Sequence, residues 1–478
     1  MRPNGAPRGL VVLLAAVVLL CVVLAGCSGS KRSDDGRNSA SGNHSASSHS
    51  SSGASSDSAA GSSPGSGSVS GGSGVSEPGT GSSSGGTFGR AILPSGHPQA
   101  GPGQLTAGEW RDIDHWDDWQ DLLASREGRD NRKTWEYYRF DRLVVRAEAE
   151  GRPIADADVI VKDTDGRVVW RTKTDVDGYA YVYARMFERD ADRRMPEANA
   201  GRDDRKARGR GQEEEGRQEQ GFNRAEPGYD VEVRAGGETK TLSHVPIPRN
   251  EPLVVAFDRR PEPSDAVDLM FVVDTTGSMQ DEIDFLREEL KDVVTRARQG
   301  GQLDVEVSVV FYRDRHDEYV FKPYPFTGDI DKVVERIAQE KAEGGGDYPE
   351  AVEQALSHAV RGEEWRRSAR TRLLFLVGDA PPRTEPQVLD ELHDATLEAA
   401  ELGIRIVPVA SSGVDVSTEY LMRFLAAATG GTYVFLTDHS GIGNDHLEAA
   451  VGEFEVRPLN DLLVEIIRRY AGLPPENG

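Results

Sequence analysis

Val267-Asp268-Leu269-Met270-Phe271-Val272-Val273-Asp274-Thr275-Thr276-Gly277-Ser278-Met279 changes character halfway along. Its first seven residues are apolar except for Asp268, which reads as a strand covered on both faces, as in a parallel sheet. The strand ends in Asp274-x-Thr276-x-Ser278. A helix pattern follows, with Ile283, Leu286, Leu290, Val293 and Val294 on one face. One carboxylate leaves the strand tip and two hydroxyls alternate with small residues in the turn. Such hard oxygen donors suit Mg²⁺, Mn²⁺ or Ca²⁺ and suit thiophilic metals poorly. Ser and Thr are equally favoured at helix caps, so the triplet alone leaves both readings open.

Downstream, the same grammar repeats. Strands are predicted at Leu303 to Phe311, at Tyr319 to Phe326 (an edge strand carrying prolines), at Leu373 to Val377, at Ile404 to Val409 and at Tyr433 to Leu436. Helices are predicted over 329–341, 349–361, 387–402, 417–428 and 456–471. Strands alternating with helices imply an α/β fold with a doubly wound, mostly parallel sheet, whose sites lie beyond the carboxyl ends of the strands. Two more loops place acid at those ends. Gly344-Gly345-Gly346-Asp347-Tyr348-Pro349-Glu350-Ala351 opens a helix, and Gly378-Asp379-Ala380-Pro381 leaves a buried strand. Three converging carboxylates would repel one another unless a cation lay between them.

This combination resembles the von Willebrand factor A domain with its metal-ion-dependent adhesion site, over residues 265–472. The resemblance implies a divalent cation, Mg²⁺ first with Mn²⁺ or Ca²⁺ as alternatives, held by Asp274, Thr276, Ser278, Glu350 and Asp379. Asp347-x-Pro349-Glu350 looks like the Asp-x-Pro-Glu of the A-type domains in integrin β chains, and differs from the Thr-bearing loop of integrin I domains. By the same likeness Asp281, Glu282, Asp314 and Asp347 are candidates for a second ion, although Gly345 stands where the integrin β domains have an Asn ligand. Charge on a helix surface is the better reading of Asp281 and Glu282. The stretch from His439 to His446 is also similar to bacterial lipoproteins carrying this domain, and its histidines read as holding a loop.

Such a site is expected to bind rather than catalyse: an acidic group of a protein ligand completes the coordination of the ion. The chain has no H-E-x-x-H, no P-loop and no nucleophile elbow between a strand and a helix, and no histidine adjoins a metal motif as a base. No catalytic residue is therefore assigned. The alternative is an envelope structural or assembly factor in which the metal only stabilises the fold.

Residues 142–260 have a different period. Short β-type runs at Leu143-Val144-Val145, Ala157 to Val161, Val168 to Trp170, Tyr179 to Tyr183, Tyr229 to Val233 and Leu253 to Phe257 are separated by Asp165-Gly166 and Asp177-Gly178 turns. This predicts an all-β sandwich, and Gly151 to Val159 with Thr174 to Gly178 resemble carboxypeptidase-regulatory, transthyretin-like domains. The aspartates at those turns read as turn residues, because no Glu stands where a calcium loop needs one. A charged insertion, 188–220, holds 10 acidic and 9 basic residues among 33, so it is expected to be a solvated excursion. Ahead of the sandwich, residues 105–141 space Trp110, Ile113, Trp116, Trp119, Leu122 and Leu123 at three or four, which predicts a short amphipathic helical segment whose tryptophans pack onto the next domain.

The first 27 residues read as a lipoprotein leader. Arg2 and Arg8 precede an apolar run from Leu10 to Ala25, and Leu24-Ala25-Gly26-Cys27 resembles the bacterial lipobox, with Cys27 the lipidated residue. From Ser28 to Gly89, 39 residues are Ser or Gly. Residues 28–104 are thus expected to be a disordered tether. These features predict a protein held to the bacterial membrane by its lipid and facing the extracytoplasmic side. Both cysteines of the 478 residues lie in the leader, so the remainder has no disulfide or thiol nucleophile. A net charge of −24 argues against nucleic acid as a partner, since that needs a basic footprint.

Overall fold

The computed structural model describes residues 90–92, 105–189, 228–300, 302–440 and 446–476. The leader with Cys27, the charged insertion beyond 189 and nearly all of the tether lie outside them. The described part of the tether, 90–92, contains a short strand, β1 (Ala91–Ile92).

The predicted helical segment begins instead with a strand. Thr106–Trp110 (β2) is followed by helices α1 (Trp116–Ala124) and α2 (Arg126–Thr134). Residue spacing of three or four cannot separate helix from strand over five residues; the decision falls to long-range pairing, with Tyr433–Thr437 on one side and Arg457–Pro458 on the other. Ser125 closes α1 and caps α2, its Oγ accepting from Gly128 N at 2.9 Å. Trp119 is fully buried, edge-on to Phe140 and Phe424.

Strands β3 (Leu143–Ala149), β4 (Arg152–Pro153), β5 (Asp158–Lys162), β6 (Val168–Lys173), β7 (Tyr179–Val182), β8 (Tyr229–Ala235), β9 (Glu238–Val245) and β10 (Leu253–Phe257) form two four-stranded sheets. One has the order β10-β3-β4 with β7 also on β3; the other runs β6-β5-β8-β9. Asp163 and Asp175 shape their turns by accepting backbone N–H groups two and four residues on, at 2.8–3.0 Å. β9, largely exposed, lacks an apolar run that would have announced it.

The rest of the chain is β11 (Ala266–Asp274), α3 (Gln280–Arg298), β12 (Asp304–Tyr312), β13 (Phe321–Thr327), α4 (Ile330–Gln339), α5 (Val352–Arg361), β14 (Thr371–Gly378), α6 (Pro386–Leu402), β15 (Ile404–Ala410), α7 (Val416–Thr429), β16 (Tyr433–Thr437), β17 (Phe454–Glu455), β18 (Arg457–Pro458) and α8 (Leu459–Tyr470). Its eight-stranded sheet has the order β13-β12-β11-β14-β15-β16-β2-β18, parallel from β12 through β16. β13, with Pro323 and Pro325, is an antiparallel edge, where missing donors cost least. On β11, Val267, Leu269, Phe271 and Val273 pack under α3, α4 and α8, while Met270 and Val272 face α5, α6 and α7. Asp268 in the same strand has no exposed surface; Arg366 meets it through its backbone N at 2.7 Å and its Nε at 2.6 Å.

The chain runs from β11 to β12 on one side and later returns to β14 on the other. The crevice at the carboxyl end of β11 is thus the topological switch point of the sheet, the place where such folds put ligands.

Candidate functional site

The crevice is built from the inside out. Asp274, the last residue of β11, has no exposed surface. Thr276 donates to its Oδ1 from both the backbone N and the hydroxyl, each at 2.8 Å. Its other oxygen, Oδ2, is buried with no hydrogen-bond partner. Thr275 faces away and anchors the turn, donating to Tyr312 O from N (2.9 Å) and Oγ1 (3.0 Å) and bonding the Tyr319 hydroxyl at 2.7 Å. Asp379 follows directly on β14, with the Ser278 hydroxyl turned toward it.

The middle loop closes the third side. Gly277 N donates to Gly344 O at 3.3 Å, and Glu350 N to Pro381 O at 2.9 Å. Gly345 lies between the first and second loops at a φ of +74°; a Cβ there would stand 3.2 Å from Thr276 Cβ and 3.3 Å from Glu350 Oε1. A side chain would wedge the loops apart, which is the physical reason for glycine at this position. Glu350 is buried, and its Oε2, like Asp274 Oδ2, has no partner. Tyr348 spans the top: its hydroxyl bonds Asp379 O (3.4 Å) and Gly413 O (3.3 Å) and accepts from Asp415 N (3.0 Å).

Charge accumulates in this small space. Burial, with Asp379 beside it, pushes the Asp274 carboxyl up to about 7 despite the bonds from Thr276. Burial and then the charges of Asp274, Asp314, Asp317 and Asp379 push Glu350 up to about 9. Burial raises Asp379, opposed by Ser278. Carboxylates gathered in low dielectric, with two of their oxygens unanswered, are a donor set that a hard cation fits. Of the five residues expected to hold one, Asp274, Thr276, Glu350 and Asp379 come together at the strand tips with Ser278 facing Asp379. Among the described residues no group of three or more Asp, Glu, His or Cys side chains is placed so that it could by itself hold a metal ion; an ion here would need the hydroxyls of Thr276 and Ser278 as well.

The four residues expected at a second ion separate into two places. Asp314 and Asp347 share Arg383, whose guanidinium stands 3.2 Å from Asp314 Oδ2 and 2.8 Å from Asp347 Oδ2. A cation from the loop after β14 thus pairs with both of these carboxylates. Arg383, in a different loop from either aspartate, gave no signal in the sequence. Glu282 lies apart from that pair: it is buried on α3, raised to about 7 by burial and by Asp379 and Asp281, and faces Ser411. It is therefore an extension of the Asp379 side of the crevice and not a surface charge. Asp281 adjoins it on the helix.

His446 is within 3.1 Å (Nε2) of Ser412 Oγ, in the loop after β15 beside Asp379, and its Nδ1 is 2.7 Å from Asp438 Oδ1. A histidine does therefore reach the rim of the site. Asp438 Oδ1 also accepts His446 N at 3.0 Å, so the backbone and ring of His446 both bond Asp438.

The comparisons with known proteins agree with this fold. A von Willebrand factor A domain is found at residues 268–438, the span matched by the family model for that domain. The match begins inside β11 and stops at the end of β16, leaving out β2 and α8 of the same folded body. The chain is similar to von Willebrand factor A domain-containing protein 7 of Mus musculus, at 34% identity over 155 residues, 27% of this chain and 17% of that protein. The Rattus norvegicus protein of that name is 31% identical over 201 residues, 36% of this chain and 22% of that protein. Alpha-protein kinase vwkA of Dictyostelium discoideum is 27% identical over 135 residues, 28% and 21% of the two chains. The chain thus spans no more than 22% of the length of these curated relatives. Among solved structures, the conserved hypothetical protein BatB from Bacteroides thetaiotaomicron is 13% identical, covering 43% of this chain and 99% of that one with a TM-score of 0.31, too low to carry an argument.

Proposed function

We propose that this is a binding protein, not an enzyme, which captures a protein ligand through a divalent cation at the tips of β11 and β14. The observation that carries the reading is the pair of buried, unpartnered oxygens, Asp274 Oδ2 and Glu350 Oε2, in a crevice crowded with like charge. Asp274, Glu350 and Asp379 would hold the ion with the hydroxyls of Thr276 and Ser278. When bound, a Mg²⁺, Mn²⁺ or Ca²⁺ ion supplies a hard electrophilic centre that an acidic group of the ligand can join. The likeness to von Willebrand factor A domain-containing proteins supports an interaction or adhesion role for residues 268–438. The lipobox resemblance at Cys27 supports placement on the extracytoplasmic face of a bacterial membrane, with residues 142–260 as a spacer or second contact.

Titration calorimetry with each cation, and capture from envelope extract with and without EDTA, test the reading. Wild type is expected to take up one ion and to lose its partner in EDTA. Asp274→Ala and Asp379→Ala are expected to lose both while keeping the wild-type circular dichroism. Ion uptake that only raises the unfolding temperature, with no partner lost on chelation, would favour the structural alternative. No uptake by wild type would end the metal reading.

A further inference from the structure

A second cleft lies where β5 and β6 meet the end of α6 and the 365–372 segment, away from the strand tips. It encloses about 410 Å³, within the range of small-molecule sites, which favour junctions between folded modules. Its lining is divided by chemistry. Val159, Ile160, Leu402 and Trp365 supply apolar wall; the Trp365 ring is fixed by its Nε1 bond to Ala359 O at 2.8 Å and by Phe326 against it.

The polar wall is cationic in a chain whose net charge is −24. Lys173 and Arg372 lie deepest. Arg372 Nη1 is 3.0 Å from Asp156, and Lys173 Nζ is 2.8 Å from Asp158 and 3.5 Å from Asp156. These two cations and two carboxylates balance. Nearer solvent the balance fails. Arg171 has only a loose pairing with Glu401, at 3.6 Å. Arg234 shares Glu232 with Lys162. Arg367 is exposed and makes no ion pair among the described residues. The ion-paired set has five cations, Lys162, Arg171, Lys173, Arg234 and Arg372, against four carboxylates, Asp156, Asp158, Glu232 and Glu401, and the unpaired Arg367 makes six against four. Two positive charges are left over, and the three cations nearest solvent at the cleft are guanidiniums, whose planar forks match phosphate and carboxylate geometry.

We infer that this cleft binds a small organic anion, its phosphate or carboxylate group on the Arg171–Arg234–Arg367 face and its body against Trp365 and Leu402. Uptake there is independent of the cation at the strand tips. The ligand is recognised by a multiply charged oxyanion on a compact body, and the two sources of such a group, a phosphate ester and a polycarboxylate, are separated by the probes.

Calorimetry on the full chain in EDTA, with glucose 6-phosphate, citrate and uncharged glucose as probes, tests this. At least one anion is expected to bind saturably at one site per chain while glucose does not, and the preferred anion identifies the oxyanion. Arg367→Glu breaks no ion pair, so it should unfold at the wild-type temperature yet bind the anion about tenfold more weakly or worse. Asp274→Ala should bind it as wild type does, which keeps this result separate from the fate of the metal reading. No saturable binding of either anion, or binding left intact by Arg367→Glu, would overturn the inference.

Discussion

Asp274 has one oxygen satisfied by Thr276 and one left over, and that imbalance has a measurable consequence. Asp274, Glu282 and Glu350 are all held above the values they take in an unfolded chain, about 3.9 for Asp and 4.3 for Glu. Between those values and their folded ones, the metal-free folded chain binds more protons than the unfolded chain. Their contribution to stability is therefore complete below about pH 4. It is lost as pH rises through about 7 for Asp274 and Glu282 and about 9 for Glu350. In EDTA the unfolding temperature is expected to fall from pH 5 to pH 9, and saturating Mg²⁺ should remove most of the fall by replacing the lost protons. Superimposable profiles in EDTA and Mg²⁺ would mean that the charges are answered from within the chain. At this scale the sequence was informative where donors sit close together, as in Asp274-x-Thr276-x-Ser278. It was silent on Arg383, because nothing in a local motif reveals which distant guanidinium will enter between Asp314 and Asp347.

Elements were legible in proportion to their length and burial. The long apolar strands β11, β12, β14 and β15 and their helices fall where periodicity places them, within a few residues. The exceptions are short or exposed: β9, with little apolar content, and β2, five residues whose conformation is set by its partner. β2 yields a prediction of its own. Gly108 faces β16 so closely that a Cβ would come within 2.6 Å of the Phe435 and Phe454 rings. Gly108→Val should force those rings aside and cost about 1–3 kcal/mol, the usual penalty of overpacking. Chemical denaturation would measure it, and a variant as stable as wild type would mean that β2 is not seated against β16.

The whole molecule is less divisible than its sequence suggests. Residues 143–257 and the α5–α7 face of the large sheet share one continuous apolar core. Further ties cross the junction: Tyr137 to Thr396 at 2.8 Å, Trp135 Nε1 to Ser417 O at 2.8 Å, and Arg405 Nη2 to Lys173 O at 2.7 Å. Arg423 is buried against Asp112 at 2.6 Å, with each side chain only 2% exposed. A chain limited to 265–472 would lose β2, leave Arg423 without Asp112 and uncover the α6–α7 face. Loss of the Asp112 pairing, which leaves Arg423 with Glu419 at 3.1 Å as its one carboxylate, and an opened strand edge both destabilise. Such a chain is expected to melt several degrees lower and to self-associate on size exclusion; a monomer melting with the full chain would show that the domain stands alone.

The sequence by itself determined the alternation of strands and helices and the acidic or hydroxyl residue at each strand end, because periodicity and burial of a strand are local properties of the chain. Only the tertiary structure decided which tips share one crevice, which carboxylate meets Arg383 and not its neighbours, and that Thr106–Trp110 completes a sheet begun more than 150 residues later. Those outcomes depend on pairings between residues far apart along the chain, and the energy of such a pairing is written in neither partner alone.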